Sequence, residues 1–150
     1  MIILRDTREK SNFGWDFPCE VKDQKLDTGD YTIQGYEKYI VIERKCSPSE
    51  IAQNLGVDYT RFEKELIRLK EFPLAYLICE FPLSSLLSFP KNCNIPKSKL
   101  SKIRINGKYL TSCLASFENK YGVQVIYTSG REEAMDIAFN LFNLAVELKG

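Results

Sequence analysis

At 150 residues, 44% hydrophobic and 27% charged, the chain can fold around one packed core, and no apolar run approaches the roughly 20 residues of a membrane helix. It has no histidine, which excludes Ser-His-Asp, Cys-His and histidine-zinc chemistry together, and its five cysteines (Cys19, Cys46, Cys79, Cys93, Cys113) form no C-x-x-C pair, which argues against a disulfide framework and a zinc site. The net charge of +1 is uninformative as a sum, but Phe81 through Phe117 contain no Asp or Glu while Lys91, Lys97, Lys99, Lys102, Arg104 and Lys108 fall there, a segregation that suits either a surface meeting a polyanion or a solvated basic loop.

The elements follow in chain order. Met1-Ile2-Ile3-Leu4-Arg5-Asp6 begins as a buried strand over residues 2–5, without a basic leader or cleavage site, so a cytoplasmic or nuclear, non-secreted location is expected. Residues 10–24 carry turn residues and no period. Residues 31–33 and 39–45 are β-rich around a polar loop with Gly35 and read as a hairpin. Ser47-Pro48-Ser49-Glu50 predicts a capped helix start, with Gly56 interrupting. A second helix from about Thr60 to Lys70 has Phe62, Leu66 and Leu69 on one face.

Leu74 to Phe81 reads as a buried strand leading into an acid. The basic span holds two or three short helices, the best from Lys108 to Lys120. Strand Val123–Tyr127 follows. A last helix, from about Gly130 to Leu148, places Ala134, Ile137, Ala138, Leu141, Phe142, Ala145 and Leu148 against the core, with Ser129 and Glu132 as its capping box. Strands interleaved with helices predict an α/β fold, a central mixed β-sheet flanked by helices.

The chemistry concentrates in the hairpin. Along a strand Glu43 and Lys45 share one face and Arg44 takes the other. A hairpin centred between Tyr36 and Glu37 sets Ile33 against Ile40 and Asp30 against Glu43, with Cβ atoms ~5 Å apart, where like charges destabilise the pair. Two carboxylates and a lysine converging there suit a cage for Mg²⁺, with Mn²⁺ substituting, which takes oxygen ligands and activates water and phosphate. Taken alone, Glu43-Arg44-Lys45 reads better as a salt-bridged strand end.

Three blocks together change that reading. Asp6-Thr7-Arg8-Glu9, then Gly29-Asp30-Tyr31, then Glu43-Arg44-Lys45 resemble the nuclease domain of the XPF/Mus-type structure-specific endonucleases, over about residues 2–80. The resemblance implies a restriction-endonuclease-like (PD-(D/E)XK) fold. It implies Asp6, Asp30 and Glu43 as metal ligands, Glu9 acting through water, and Lys45 on the attacking water or transition state. Arg8 and Arg61 would hold the acids or the scissile phosphate, and Arg44 would support. Arg61-Phe62 with Glu65 is similar to that family's R-[F/Y]-x-x-Q pattern, with Glu65 in the glutamine position. Arg61 and Glu65 read equally as an ordinary i, i+4 helix pair.

The expected protein is therefore a single nuclease domain over 1–150, without a helix-hairpin-helix domain, that hydrolyses branched, flapped or nicked DNA. Lys91 to Lys108 would hold phosphates, and Gly107 at a helix start could present backbone N–H groups to one. A homodimer through the nuclease domain is a further expectation, the C-terminal helix supplying a face. The alternatives are a catalytically inactive DNA-binding scaffold on the same fold and a Holliday-junction-resolvase-like or restriction-like nuclease.

Overall fold

A computed structural model describes residues 1–91, 93–100 and 102–150. Six strands form one mixed sheet in the order β2-β1-β3-β4-β5-β6. They are β1 (Ile2–Arg5), β2 (Glu20–Asp23), β3 (Tyr31–Ile33), β4 (Ile40–Lys45), β5 (Leu74–Cys79) and β6 (Val123–Tyr127). β3 runs antiparallel to β1 and β4, whereas the β1–β2, β4–β5 and β5–β6 pairs are parallel.

Sequence reading missed β2. Its residues, Glu20-Val21-Lys22-Asp23, carry three charges and no hydrophobic alternation, as suits an edge strand that discourages further pairing. A 3₁₀ turn over Thr7–Asn12 lies between β1 and β2.

The helices cover both faces. α1 (Pro48–Leu55), α2 (Tyr59–Leu69), α5 (Gly107–Ala115) and α6 (Phe117–Tyr121) bury Ile51, Phe62, Leu66, Leu69, Leu110 and Phe117 with Val41 and Leu77 of the sheet. The opposite face packs α7 (Arg131–Lys149), through Ala134, Ala138, Phe142 and Ala145, on Ile40, Ile42, Tyr76 and Ile78 with Trp15 and Phe17. Two short helices, α3 (Leu83–Leu87) and α4 (Lys97–Leu100), occupy the basic span. Among the described residues, no helix is long and apolar enough to cross a membrane.

Local departures from expectation have physical causes. The Lys108–Lys120 helix is broken at Ser116, which caps α5 and begins α6. In α1 the Ser47 side chain accepts the Glu50 N–H as expected, but Glu50 reaches back to the Cys46 N–H at 2.8 Å rather than to Ser47. In α7 the N-cap is Gly130, and Glu133, not Glu132, accepts the Ser129 N–H at 2.9 Å. Leu148, expected on the packed face, is exposed.

Candidate functional site: a carboxylate pair beneath an arginine rim

Alternation along β4 decides what each side chain meets. Val41 packs under α1 and α2, while Ile40 and Ile42 face α7 and Trp15. Glu43 and Lys45 therefore point to the α1/α2 face, and Arg44 points to the other. Lys45 Nζ stands 4.9 Å from the Phe62 ring centre and 3.9 Å from Glu50 Oε2, with the side chain buried. Arg44 lies over Trp15 at 5.5 Å.

Tyr31 pairs with Ile42, which is the register expected and places Asp30 across from Glu43. The turn before Asp30 requires glycine. Gly29 has φ +75°, and a Cβ there would lie 2.2 Å from Val41 Cγ2. The Asp30 N–H donates to the Ile42 carbonyl at 2.9 Å, and Asp30 Oδ2 accepts the Arg44 N–H at 2.8 Å.

The Asp30 and Glu43 carboxyls are hydrogen-bonded to each other. Burial pushes Asp30 up to about 6, opposed by the Glu43 hydrogen bond and helped by the Glu9 charge. Burial, then the Asp30 charge, raises Glu43 well above the usual carboxylate range, with Lys45 opposing. Two facing acids whose proton affinities are raised are a donor set that a hard cation fits, because the cation offsets the repulsion between them.

The other acids divide. Glu9 accepts from Arg44 Nη1 at 3.1 Å and, with Asp30, Glu43 and Lys45, lines an open cavity. Asp6 does not line it. Asp6 is the fully buried N-cap of the 3₁₀ turn, and its oxygens accept Leu26 N–H at 2.8 Å, Arg8 N–H at 3.1 Å and Arg8 Nε at 2.6 Å. Serving as a metal ligand would require Asp6 to exchange those donors. Among the described residues, no group of three Asp, Glu or Cys side chains has the spacing to hold an ion. The structure thus brings together Asp30, Glu43 and Lys45, and leaves Asp6 to the turn.

Arg61 and Glu65 do not pair at i, i+4. Arg61 bonds Asp58 at 3.0 Å, while Glu65 accepts the Gly29 N–H at 2.9 Å and Arg68 Nη2 at 2.5 Å and hydrogen-bonds Glu43. Glu65 therefore belongs to the site. Its place opposite the Gly29-Asp30 turn could not be read from helix spacing. Glu80, at the end of β5, completes the Arg44 fork at 2.7 Å and accepts Trp15 Nε1 at 2.5 Å.

These groups line a cavity of about 1040 Å³ whose wall also carries Arg8, Arg61, Arg68 and Arg131. Arg131 had one legible signal: a cation at the first position of a helix opposes the helix dipole and calls for a separate reason. Lys91, Lys97, Lys99, Lys102, Arg104 and Lys108 are all exposed, and none lines the cavity. Gly107 is not a phosphate cradle. It is buried, its N–H donates to the Phe89 carbonyl at 3.0 Å, and a Cβ would meet Leu87 O at 2.2 Å.

A family model described as the ERCC4 domain matches residues 5–141, well beyond the span of the sequence motifs. No curated protein sequence matches. Among solved structures the chain is similar to XPF from Aeropyrum pernix at 19% identity and a TM-score of 0.66, covering 97% of this chain and 61% of that one. The same values hold against XPF from Aeropyrum pernix in complex with DNA, of which 65% is covered. This chain therefore spans less than two thirds of those chains, and at that identity the likeness establishes the fold: restriction-endonuclease-like, with a mixed sheet between helices.

Proposed function

The chain belongs to the ERCC4 domain family, and on that premise we propose that it is a divalent-metal-dependent DNA endonuclease that cuts branched, flapped or nicked DNA. The observation that carries the proposal is the Asp30–Glu43 pair, Asp30 half-buried and Glu43 buried, hydrogen-bonded across the hairpin beside Lys45 on the floor of an arginine-rimmed cavity. A salt-bridged strand end would pair each acid with a base, yet here the two acids face each other.

Asp30 and Glu43 would hold Mg²⁺ or Mn²⁺, with Glu65 and Glu9 close by. Such an ion, when bound, polarises a phosphoryl oxygen and lowers the pKa of water. Lys45 sits beside Glu43 on the strand face that opens to the cavity, where its ammonium can orient water and balance charge on the five-coordinate phosphorus. Phe62 and Glu50 keep that ammonium in place. Arg8 and Arg61 carry side chains 72% and 78% exposed at the cavity wall, where a phosphate can replace water on their guanidinium groups.

The complex of XPF from Aeropyrum pernix with DNA supports DNA as the partner. The cationic groups of the cavity wall suit phosphate contacts, which position DNA without reading its sequence.

The test is a panel of nicked, flapped, branched and continuous DNA with Mg²⁺, Mn²⁺ or chelator. The parent cuts a subset with metal only, and Glu43→Ala and Asp30→Asn abolish cutting while circular dichroism stays native. Metal-dependent cutting undiminished in both variants would sink the assignment. Binding without cutting across all metals would instead favour the inactive scaffold.

A further inference from the structure

Phe13 ends the 3₁₀ turn with φ 54°, a left-handed conformation in which a bulky aromatic is an outlier. Burial does not offset the strain, because Phe13 is 85% exposed. Its backbone is fixed from the far end of the chain. Arg131 donates Nη1 to the Phe13 carbonyl and Nη2 to the Gly14 carbonyl, the latter at 2.9 Å. Packing beneath is close, since a Cβ on Gly14 would lie 2.8 Å from Arg5 Cδ.

The result is an exposed ring on a doubly tethered mount at the wall of the cavity that holds Asp30, Glu43 and Lys45. Isolated exposed apolar side chains are ordinary. One held in a disfavoured backbone conformation and tied to a polar, arginine-lined cavity calls for a ligand that prefers an aromatic face. Strain of this kind gathers at ligand clamps.

We propose that Phe13 is a stacking platform for a nucleobase displaced from the duplex next to the scissile phosphate. The inference rests on DNA being the substrate of the cavity, and it adds which part of the DNA is recognised. A phenyl ring accepts the face of any base and so discriminates no sequence. It does discriminate structure. A continuous duplex must first unstack a base to use the platform, whereas a flap, gap or branch offers one already unpaired.

The experiment uses the full chain in Ca²⁺ buffer with two DNAs, a continuous duplex and a flapped duplex carrying 2-aminopurine as the first unpaired base. The parent changes the 2-aminopurine fluorescence on binding. Phe13→Ala removes that change and binds the flapped DNA about tenfold more weakly, the scale of one lost base–aromatic stack, while duplex binding is unchanged. Phe13→Trp restores both signals. Since the ring is exposed, thermal unfolding of Phe13→Ala matches the parent. If Phe13→Ala binds both DNAs as the parent does, or weakens both alike, the platform is wrong and DNA binding by the cavity stands. If the parent binds neither DNA, both readings fall.

Discussion

Asp30 and Glu43 each release their proton less readily in the fold than in an unfolded chain, burial being the first cause for both. Between the unfolded and folded values the fold therefore holds more protons, so stability falls as pH rises from about 4. For Asp30 the loss runs to about 6, and for Glu43 it continues higher. Asp6 and Glu65 act oppositely. Although burial opposes it, hydrogen bonds from Leu26 and Arg8 hold Asp6 low, and those from Gly29 and Arg68 hold Glu65 low. Their contribution is present above the usual carboxylate range and is lost on acidification.

A single variant separates the two effects. In chelator at pH 8, Asp30→Asn melts a few degrees above the parent, the scale of roughly 1 kcal/mol in a chain of this size. The gap closes below about pH 4, where the parent carboxyl is protonated anyway. A gap that stays constant with pH would refute the buried pair as its source.

At the scale of elements, helix α2 is the wall that holds the Gly29-Asp30 turn in place, through Glu65 on the Gly29 N–H. Glu65→Gln keeps a carbonyl oxygen for that N–H and gives up the charge and the Arg68 bridge, whereas Glu65→Ala gives up everything. If the chain cuts DNA as proposed, cleavage by Glu65→Ala falls about 100-fold, the cost of a catalytic group shifted by about an ångström, and Glu65→Gln recovers most of it. Equal loss in both variants would show that charge, not position, is the contribution of Glu65.

Much of this geometry was legible. The hairpin register follows from alternation and the Gly35 loop, and β6 and α7 follow from their apolar periods. The parts that escaped depend on contacts remote in sequence. Glu65 meets Gly29, Arg44 forks between Glu9 and Glu80, and Arg131 reaches Phe13. No local pattern encodes such pairings. The surroundings of Asp6 escaped for a related reason: an acid after a first strand can cap a turn as readily as face a cavity, and the donors it meets, Leu26 and Arg8, follow from no local pattern.

For the whole molecule, two clusters of positive charge could meet phosphates, the cavity arginines and the exposed basic residues of the span from Lys91 to Lys108. Phosphate contacts release counterions, so each zone in use contributes to the salt dependence of DNA affinity, about one unit of log–log slope per phosphate. Replacing Lys97, Lys99 and Lys102 together by Ala lowers the slope by about 2–3 if the lysine zone carries the duplex away from the cut. A slope unchanged in that triple variant assigns binding to the cavity arginines.

The raised proton affinity of Asp30 and Glu43 has one more consequence in a chain without histidine. In most proteins imidazoles dominate acid–base uptake around pH 6. Here that background is silent, and if the site loads a divalent cation as proposed, the hydrogen ion the two acids give up stands out against it. Buffer-dependent heat on loading the site then becomes a direct gauge of occupancy.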